Sequence, residues 1–170
     1  MTQPLIAVSS MTGNTRIIAH ALADEIENAC YVDLDRATLA PQDVQMYDPV
    51  VLCFWCDKGQ APEKMKSFAA GLTGKRIACF ATLGGNPESE QSKSWMAKTS
   101  QALVDSGKNN RLETTFLCCG KISDAVFDLM TQMAGGIVSP ERLAVKKASD
   151  THPDRVDVEN AVKAYRQAFG

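Results

Sequence analysis

Small polar residues crowd a short segment near the amino terminus, VSSMTGNTR, which follows a brief apolar run. The segment contains Ser10, Met11, Thr12, Gly13, Asn14 and Thr15. A helical pattern begins within it, and the first amides of a helix have no partner inside the helix and favour an anion. Hydroxyl and amide donors without a cation suit a terminal phosphate monoester. The alternative is an ordinary helix start, capped by Ser10 or Thr12, with nothing bound.

Two other kinds of phosphate chemistry fit the segment poorly. It contains no lysine, and the nucleoside-triphosphate loop G-x-x-x-x-G-K-[ST] occurs nowhere in the chain. A phosphatase of similar topology would need a cysteine nucleophile together with an arginine in this loop. The segment has no cysteine, and Arg16 has no nucleophile beside it. The residues therefore favour binding of a phosphate group over its transfer.

The six cysteines offer thiol chemistry that their positions do not favour. Cys53 and Cys56 form a C-x-x-C pair, but a redox pair should open a helix, whereas Cys53 falls inside an apolar strand pattern. Together with Cys118 and Cys119 they could form a four-thiol metal site, although the second pair lacks C-x-x-C spacing. The amino terminus has no basic segment typical of a signal peptide. We therefore expect reduced thiols and a cytoplasmic location.

The histidines are few and no motif surrounds either of them. His20 lies within the first helical pattern, and His152 precedes Pro153 near the last one. Surface or capping roles suit both better than catalysis. Asp150, Asp154 and Asp157 suit a solvated helix start.

Five apolar segments alternate with helical patterns, which predicts a parallel sheet covered by helices. The predicted strands are Leu5–Val8, Cys30–Leu34, Val50–Phe54, Arg76–Ala81 and Thr114–Cys118. The predicted helices are Asn14–Asn28, Glu63–Ala70, Ser89–Ser106, Ala125–Met133 and Asp154–Phe169. In such sheets ligands bind outside the carboxyl ends of the strands, where the strand order reverses. The loops beginning at Ser9, Trp55 and Thr82 would meet there, with Cys119–Lys121 further along the same edge.

Length and charge limit the classes of protein. The chain has 170 residues and a formal net charge of −2, so residues 1–170 are expected to form one domain. Nucleic-acid binding would call for a basic surface. No apolar run approaches the ~20 residues that span a bilayer. We therefore expect neither nucleic acid nor membrane among the partners.

The segment Ser10–Thr15 resembles the S-x-T-G-N-T loop of flavodoxins, which wraps the phosphate of FMN. It follows the first strand and opens the first helix, as in that family, and the resemblance covers nearly the whole chain. The segments FWCDKG, TLGGNPESE and FLCCGKI further resemble a subgroup of bacterial flavodoxin-like proteins, some of which are linked to bilin reduction. The resemblance implies a three-layer α/β fold, a five-stranded parallel sheet of order 2-1-3-4-5, and FMN as the cofactor.

The resemblance also assigns site residues by position. The phosphate would be bound by Ser10, Met11, Thr12, Gly13, Asn14 and Thr15. The flavin ring would lie between two loops, one made of Trp55, Cys56, Asp57, Lys58 and Gly59, the other of Thr82, Leu83, Gly84, Gly85 and Asn86.

Three residues of the first ring loop carry distinct expectations. Trp55 would stack on the ring, although a tryptophan beside a buried strand can also belong to the core. Lys58 would stabilise the anionic reduced flavin, unless it is only a solvated loop residue. Gly59 would provide a peptide that reorients when flavin N5 gains a proton.

This sequence departs from the flavodoxin pattern in two respects. The segment TLGGNP offers no second stacking aromatic, and the chain is nearly neutral, whereas electron-carrier flavodoxins are usually strongly acidic. The expected function is transfer of electrons to a partner enzyme, or reduction of a small molecule at the flavin. The alternative is an interaction module that retains the phosphate loop but performs no redox chemistry.

Overall fold

Five parallel strands form one sheet in the computed structural model, which describes residues 2–170. The strands are β1 (Gln3–Ser9), β2 (Cys30–Asp33), β3 (Tyr47–Trp55), β4 (Arg76–Leu83) and β5 (Arg111–Cys119). Their order is β2-β1-β3-β4-β5, as predicted. The order reverses between β1 and β3, whose pairing runs from Leu5 opposite Val50 to Ser9 opposite Phe54. The carboxyl ends of these two strands therefore form the topological switch point.

Several strands extend beyond their apolar centres. β3 begins at Tyr47 rather than Val50, because Tyr47 already pairs with Gln3 of β1. β5 begins at Arg111 rather than Thr114 and lies at the edge of the sheet, where polar residues are tolerated. A search for apolar runs finds the buried middle of such strands and misses their polar ends.

Seven helices lie between and after the strands within residues 2–170. They are α1 (Asn14–Glu25), α2 (Pro41–Val44), α3 (Glu63–Ala70), α4 (Glu90–Ser106), α5 (Asp124–Met133), α6 (Pro140–Ser149) and α7 (Arg155–Phe169). The predicted bounds of α3 are confirmed. α1 ends three residues before the predicted Asn28, which has a positive φ of 60°. The sequence analysis did not predict α2 or α6, although Ser139 and Pro140 at the start of α6 are typical of a capped helix.

Two hydrophobic clusters cover the two faces of the sheet and produce the expected three layers. Alternate β1 residues divide between them, with Leu5 and Ala7 in one cluster and Ile6 and Val8 in the other. The first cluster includes residues of α3 and α4, and the second includes residues of α1 and α7. Burial on both faces explains why the central strands are almost entirely apolar.

Helices α5 and α6 lie outside this arrangement. They occupy the connection between β5 and α7, and α7 is the helix that packs against α1 and β5. α5 has no buried residue, and α6 has only Ser149. None of the helices described within residues 2–170 is long and apolar enough to cross a membrane.

Two of the three predicted helix-start aspartates are found at the start of α7, while Asp150 lies at the end of α6 and pairs with Lys146 at 2.7 Å. Asp154 and Asp157 form a capping box at the start of α7, each accepting the other's backbone N–H. His152 Nδ1 lies 2.6 Å from Asp157 Oδ2 and joins this cap. His20 instead stacks on Tyr31, with 4.4 Å between the ring centroids.

Candidate functional site

Residues 10–15 form a compact turn between β1 and α1. Gly13 has φ of +96°, a left-handed conformation that favours glycine, and no atom lies within 4 Å of where its Cβ would be. The Gly13 N–H donates to Ser10 Oγ over 3.2 Å, and Asn14 Nδ2 donates to Thr12 Oγ1 over 3.2 Å. The side chains of the turn therefore fix its shape by bonding to one another.

The first turn of α1 presents unpaired donors. Gly13 occupies the N-cap position and no side chain caps the helix, so neither Ser10 nor Thr12 has the capping role that the alternative gave it. Within residues 2–170 the backbone N–H groups of Asn14, Thr15 and Arg16 have no acceptor. Thr15 is also fully buried. A buried amide without a partner is costly, and an anion at this helix start would satisfy it.

Buried hydrogen bonds join this turn to the carboxyl ends of β3 and β4. The hydroxyls of Thr15 and Thr82 lie 2.8 Å apart in the interior. The Thr82 carbonyl accepts the N–H of Cys56 over 3.2 Å. The three loops that the sequence predicted to meet are therefore connected through Thr82.

The loop after β5 closes the other side of the turn. Asn14 Nδ2 also donates to the Lys121 carbonyl over 2.9 Å. A Cβ on Gly120 would come within 2.8 Å of the Asn14 amide, so this close approach needs a glycine. The Asn14 side chain thus holds two protein segments together, with its Nδ2 donating to both Thr12 Oγ1 and the Lys121 carbonyl.

The sequence analysis did not predict an acidic network beside this turn, formed by Asp33 and Asp35 with Arg16. Asp35 accepts the Ser10 N–H over 2.8 Å and the Ser9 hydroxyl over 3.0 Å. Arg16 bridges Asp35 and Asp33, at 3.1 Å and 2.7 Å. The available signal was the D-x-D segment at the end of β2, which the sheet order places beside β1.

Arg16 and Asp33 also alter each other's ionisation. Burial alone would raise the pKa of Asp33, but the hydrogen bonds from Arg16 and from the Asp35 amide lower it overall. The hydrogen bond to Asp33 raises the pKa of Arg16. The Arg16 charge is therefore committed to carboxylates, and hydroxyl and amide groups remain as the donors of the turn.

Trp55 shares a cleft with the Ser10–Thr15 turn. The cleft measures about 290 Å³, and it is lined by Ser9, Ser10, Met11, Asp35, Trp55, Pro62, Glu63 and Lys64. Trp55 is half-buried at the end of β3, so it belongs neither wholly to the core nor wholly to solvent. Its position places an aromatic surface in the cleft that Ser10 and Met11 also line.

The residues after Trp55 form a tight turn. Asp57 and Gln60 exchange backbone hydrogen bonds of 2.8 and 2.9 Å, and Lys58 and Gly59 between them have φ of 50° and 79°. Two consecutive positive φ values are typical of a type I′ turn. Lys58 is exposed at its tip. Trp95 of α4 donates its Nε1–H to the Gly59 carbonyl over 3.0 Å, a contact that the sequence did not indicate.

The segment 82–86 packs against the connection that follows β5. A Cβ on Gly84 would lie 2.7 Å from the side chain of Ile122. The Leu83 carbonyl accepts the Gly120 N–H over 2.9 Å, and Gly85 is half-buried. Asn86 Oδ1 accepts the Glu88 N–H over 2.9 Å, which turns the chain toward α4. Every predicted site segment thus lies at one edge of the sheet.

The thiols of the C-x-x-C pair differ in burial. Cys53 is fully buried on β3, as predicted, and burial raises its pKa well above the usual range. Burial also raises the pKa of the half-buried Cys56. Both are therefore protonated at neutral pH, and neither has the low pKa of a redox-active cysteine.

A second, larger groove lies elsewhere. It measures about 510 Å³ and runs between the end of α1 and α7, lined by Glu25, Val158, Glu159, Val162, Lys163, Arg166 and Gln167. None of the predicted site residues lines it, and it is remote from the carboxyl ends of the strands. The smaller cleft is the better candidate because polar donors and an aromatic converge there.

Similar proteins have related sequences and folds. "Flavodoxin-like domain-containing protein BilS" of Clostridioides difficile (strain CD3) is 28% identical over 164 residues, which cover 92% of this chain and 90% of that protein. A flavoprotein in complex with FMN from Lactobacillus acidophilus NCFM superimposes with a TM-score of 0.55 at 14% identity, over 69% of this chain and 93% of its own. The flavodoxin of Streptococcus pneumoniae TIGR4 gives 0.53 at 18%, over 85% and 99%.

Sequence identity to both solved proteins is low, so the structural likenesses show a shared fold and nothing further. The sequence itself matches the model of the flavodoxin domain over residues 5–166. That match includes most of β1, all of the other four strands and the loops at the carboxyl edge of the sheet. The chain therefore belongs to the flavodoxin domain family.

Proposed function

We propose that this protein binds one FMN without a covalent bond and passes electrons from it. One observation carries the proposal. Ser10 and Met11 of the turn border a single cleft with Trp55 at the topological switch point, and the residues with unpaired amides at the start of α1 belong to the same turn. A phosphate and a planar ring joined by a short chain would engage both groups at once.

The turn Ser10–Thr15 holds the phosphate. The hydroxyl of Thr12 is exposed there, and the amides of Asn14 and Thr15 need an acceptor. A hydrogen bond to a charged group contributes about 1.5–3 kcal/mol. Asp35 occupies the Ser10 amide and fixes the turn, while Arg16 offsets the Asp35 charge next to a bound anion.

The ring lies between the loops after β3 and β4. Trp55 supplies a stacking surface, and the turns at 56–59 and 82–86 supply backbone groups at the ring edge. FMN, when bound, supplies the capacity to accept and donate electrons, and the protein tunes and orients it. Lys58 and Gly59 lie at the tip of one turn, where the lysine charge and the glycine peptide would interact with a change in flavin charge.

The acceptor of the electrons is a partner protein or a small molecule. The family match and the FMN complex of a protein with this fold support a redox function. We place the protein in the cytosol, a proposal that its six free cysteines support.

Titration with FMN and with riboflavin tests the proposal. Wild-type protein should bind FMN much more tightly than riboflavin, which lacks the phosphate. Thr12→Val should weaken FMN binding by about 1.5–3 kcal/mol, because it removes one hydrogen bond to a charged group. Riboflavin binding should not change, and the matched variant Thr73→Val, at an exposed site beyond α3, should bind FMN as wild type does.

Two results would count against the proposal. Equal affinity for FMN and riboflavin would show that residues 10–15 do not hold a phosphate. No binding of either flavin would favour the alternative of an interaction module without redox chemistry.

A further inference from the structure

Ile122, in the connection that follows β5, packs against the segment 82–86. A Cβ on Gly84 would lie 2.7 Å from Ile122 Cγ1 and 3.3 Å from its Cδ1, so the two residues are already in close contact. Ile122 is buried, with 7% of its surface exposed, whereas Gly84 is exposed. The Gly84 backbone therefore rests on Ile122 on one side and is open on the other.

Two consecutive glycines do not fix the position of this segment by themselves. Gly84 and Gly85 have no side chains with which to pack, and glycine has the greatest backbone freedom of any residue. The segment also contains no aromatic side chain. Its position at the carboxyl edge of the sheet therefore depends on contacts with other parts of the chain.

Ile122 is itself held by buried contacts with α6. Its N–H donates to Ser149 Oγ over 3.0 Å, and Ser149 Oγ donates to the Lys146 carbonyl over 2.6 Å. Ser149 is fully buried and is the one buried residue of α6. Without this hydroxyl the Ile122 N–H would be a buried donor that has lost its partner, which is costly.

The two residues before Ile122 are held at the same edge of the sheet. The Gly120 N–H donates to the Leu83 carbonyl over 2.9 Å, and the Lys121 carbonyl accepts a hydrogen bond from Asn14 Nδ2 over 2.9 Å. These bonds reach both the phosphate turn and the carboxyl end of β4. Ile122 is therefore restrained from both directions along the chain.

We propose that Ile122 is a positioning residue for the flavin ring and that Ser149 holds it in that role. Ile122 supports Gly84 and so determines where the backbone of the segment 82–86 lies relative to the ring. A supported backbone surface then serves on the side of the site that has no second stacking aromatic. This inference rests on the proposed function, and it gives α6 a part in flavin binding.

A pair of compensating substitutions tests the contact, with riboflavin as the main probe because it has the ring without the phosphate. Gly84→Ala should weaken riboflavin binding about tenfold, since the new Cβ would overlap with Ile122 and displace the segment, and overpacking of this kind is costly. Ile122→Ala removes the two nearest atoms and leaves the Ile122 Cβ position at 4.0 Å. The double variant should therefore bind riboflavin more tightly than Gly84→Ala does, and FMN should follow the same order.

Two serines of α6 provide a matched comparison. Ser149→Ala removes the acceptor of the Ile122 N–H, so it should weaken the binding of both flavins about threefold to tenfold and shift the absorption maximum of the bound flavin. Ser139→Ala removes the cap at the other end of the helix, where Ser139 Oγ accepts the Arg142 N–H. It should lower the free energy of unfolding, measured with urea, and leave flavin affinity and absorption unchanged.

Three results would overturn the inference while wild-type protein still binds both flavins. They are unchanged riboflavin affinity in Gly84→Ala, losses in the two single variants that simply add in the double variant, and equal effects of Ser149→Ala and Ser139→Ala on flavin affinity. Failure of the proposed function looks different, because wild-type protein itself would then bind neither flavin.

Discussion

Trp55 is the aromatic residue that lines the cleft beside the phosphate turn. Trp55→Ala should weaken the binding of FMN and of riboflavin by the same factor, because the lost contact involves the ring that both share. An aromatic contact contributes about 0.5–1.5 kcal/mol beyond buried area, so the effect should be about threefold to tenfold or more. Equilibrium titration of both flavins measures it.

Trp95 provides the matched control for this prediction. Trp95 donates its Nε1–H to the Gly59 carbonyl of the same turn. Its ring packs against the ring of Phe54. Trp95→Phe should therefore change flavin affinity less than Trp55→Ala does. Equal losses in the two variants, or no loss in either, would mean that the ring does not stack on Trp55.

Lys58 bears on the reduced state of the flavin. It sits exposed at the tip of the turn with φ of 50°. Two unit charges ~6 Å apart interact by about 3 kcal/mol at a dielectric of ~20, and an exposed lysine retains only a fraction of that. Lys58→Met should lower a one-electron potential by roughly 20–60 mV, given that ~59 mV corresponds to 1.4 kcal/mol.

Potentiometric titration at low and high salt measures this shift. The shift should shrink at high salt, and FMN should bind the oxidised variant as it binds wild type. Lys98→Met, at an exposed position on α4, should leave the potential unchanged. A shift of the reduction potential under ~10 mV at low salt would indicate that Lys58 is a solvated loop residue without an effect on the flavin.

At the scale of elements, Arg16 ties α1 to the end of β2. Its ion pair with the nearly buried Asp33 measures 2.7 Å, and Arg16 itself is largely covered. Arg16→Met would leave the Asp33 carboxylate with fewer partners and should lower the free energy of unfolding by about 2–3 kcal/mol at pH 7. Arg155→Met, which breaks an exposed pair with Glu159 on α7, should cost under ~1 kcal/mol.

The pH dependence of this loss has a definite sign. The pKa of Asp33 is lower in the folded protein than its ordinary value, so its contribution is present above the ordinary value and disappears as pH falls through the folded one. Urea denaturation of wild type and Arg16→Met should therefore converge in acid. A difference that stays constant from pH 7 to below pH 4 would exclude ionisation of Asp33 as its cause.

How well the sequence predicts elements depends on what stabilises them. The bounds of α3 follow from local signals, the spacing of its apolar residues and the glycine after Ala70. α6 has a capping serine and Pro140, but its apolar residues have no regular burial, so periodicity alone does not reveal it. The segments of the candidate site were predicted from the phosphate-loop motif, while Asp35 and Trp95 reach it through tertiary contacts that no local pattern encodes.

For the whole molecule, the alternation of strands and helices predicts a parallel sheet, and the sheet order is implied by the resemblance to flavodoxins that the motif after β1 carries. What the sequence does not reveal is the uneven packing of the chain. The sheet is buried on both faces, while α5 and α6 have one buried residue between them. An apolar stripe at helical spacing is normally assigned to the core, but Leu129, Met130 and Met133 of α5 are exposed, so spacing alone does not show whether such a stripe is covered.

Hydrogen exchange should reveal this unevenness directly. Amides at the centres of β1, β3 and β4 should exchange only through global unfolding, whereas those of α5 and α6 should exchange by local opening, several orders of magnitude faster, because few buried contacts oppose it. FMN should slow exchange in residues 10–15, 55–60 and 82–86. Riboflavin should slow the latter two segments and spare 10–15, since it has no phosphate. Protection of α5 equal to that of β3 in the isolated protein would contradict the weak packing seen here, and uniform slowing by both flavins would indicate global stabilisation without the predicted contacts.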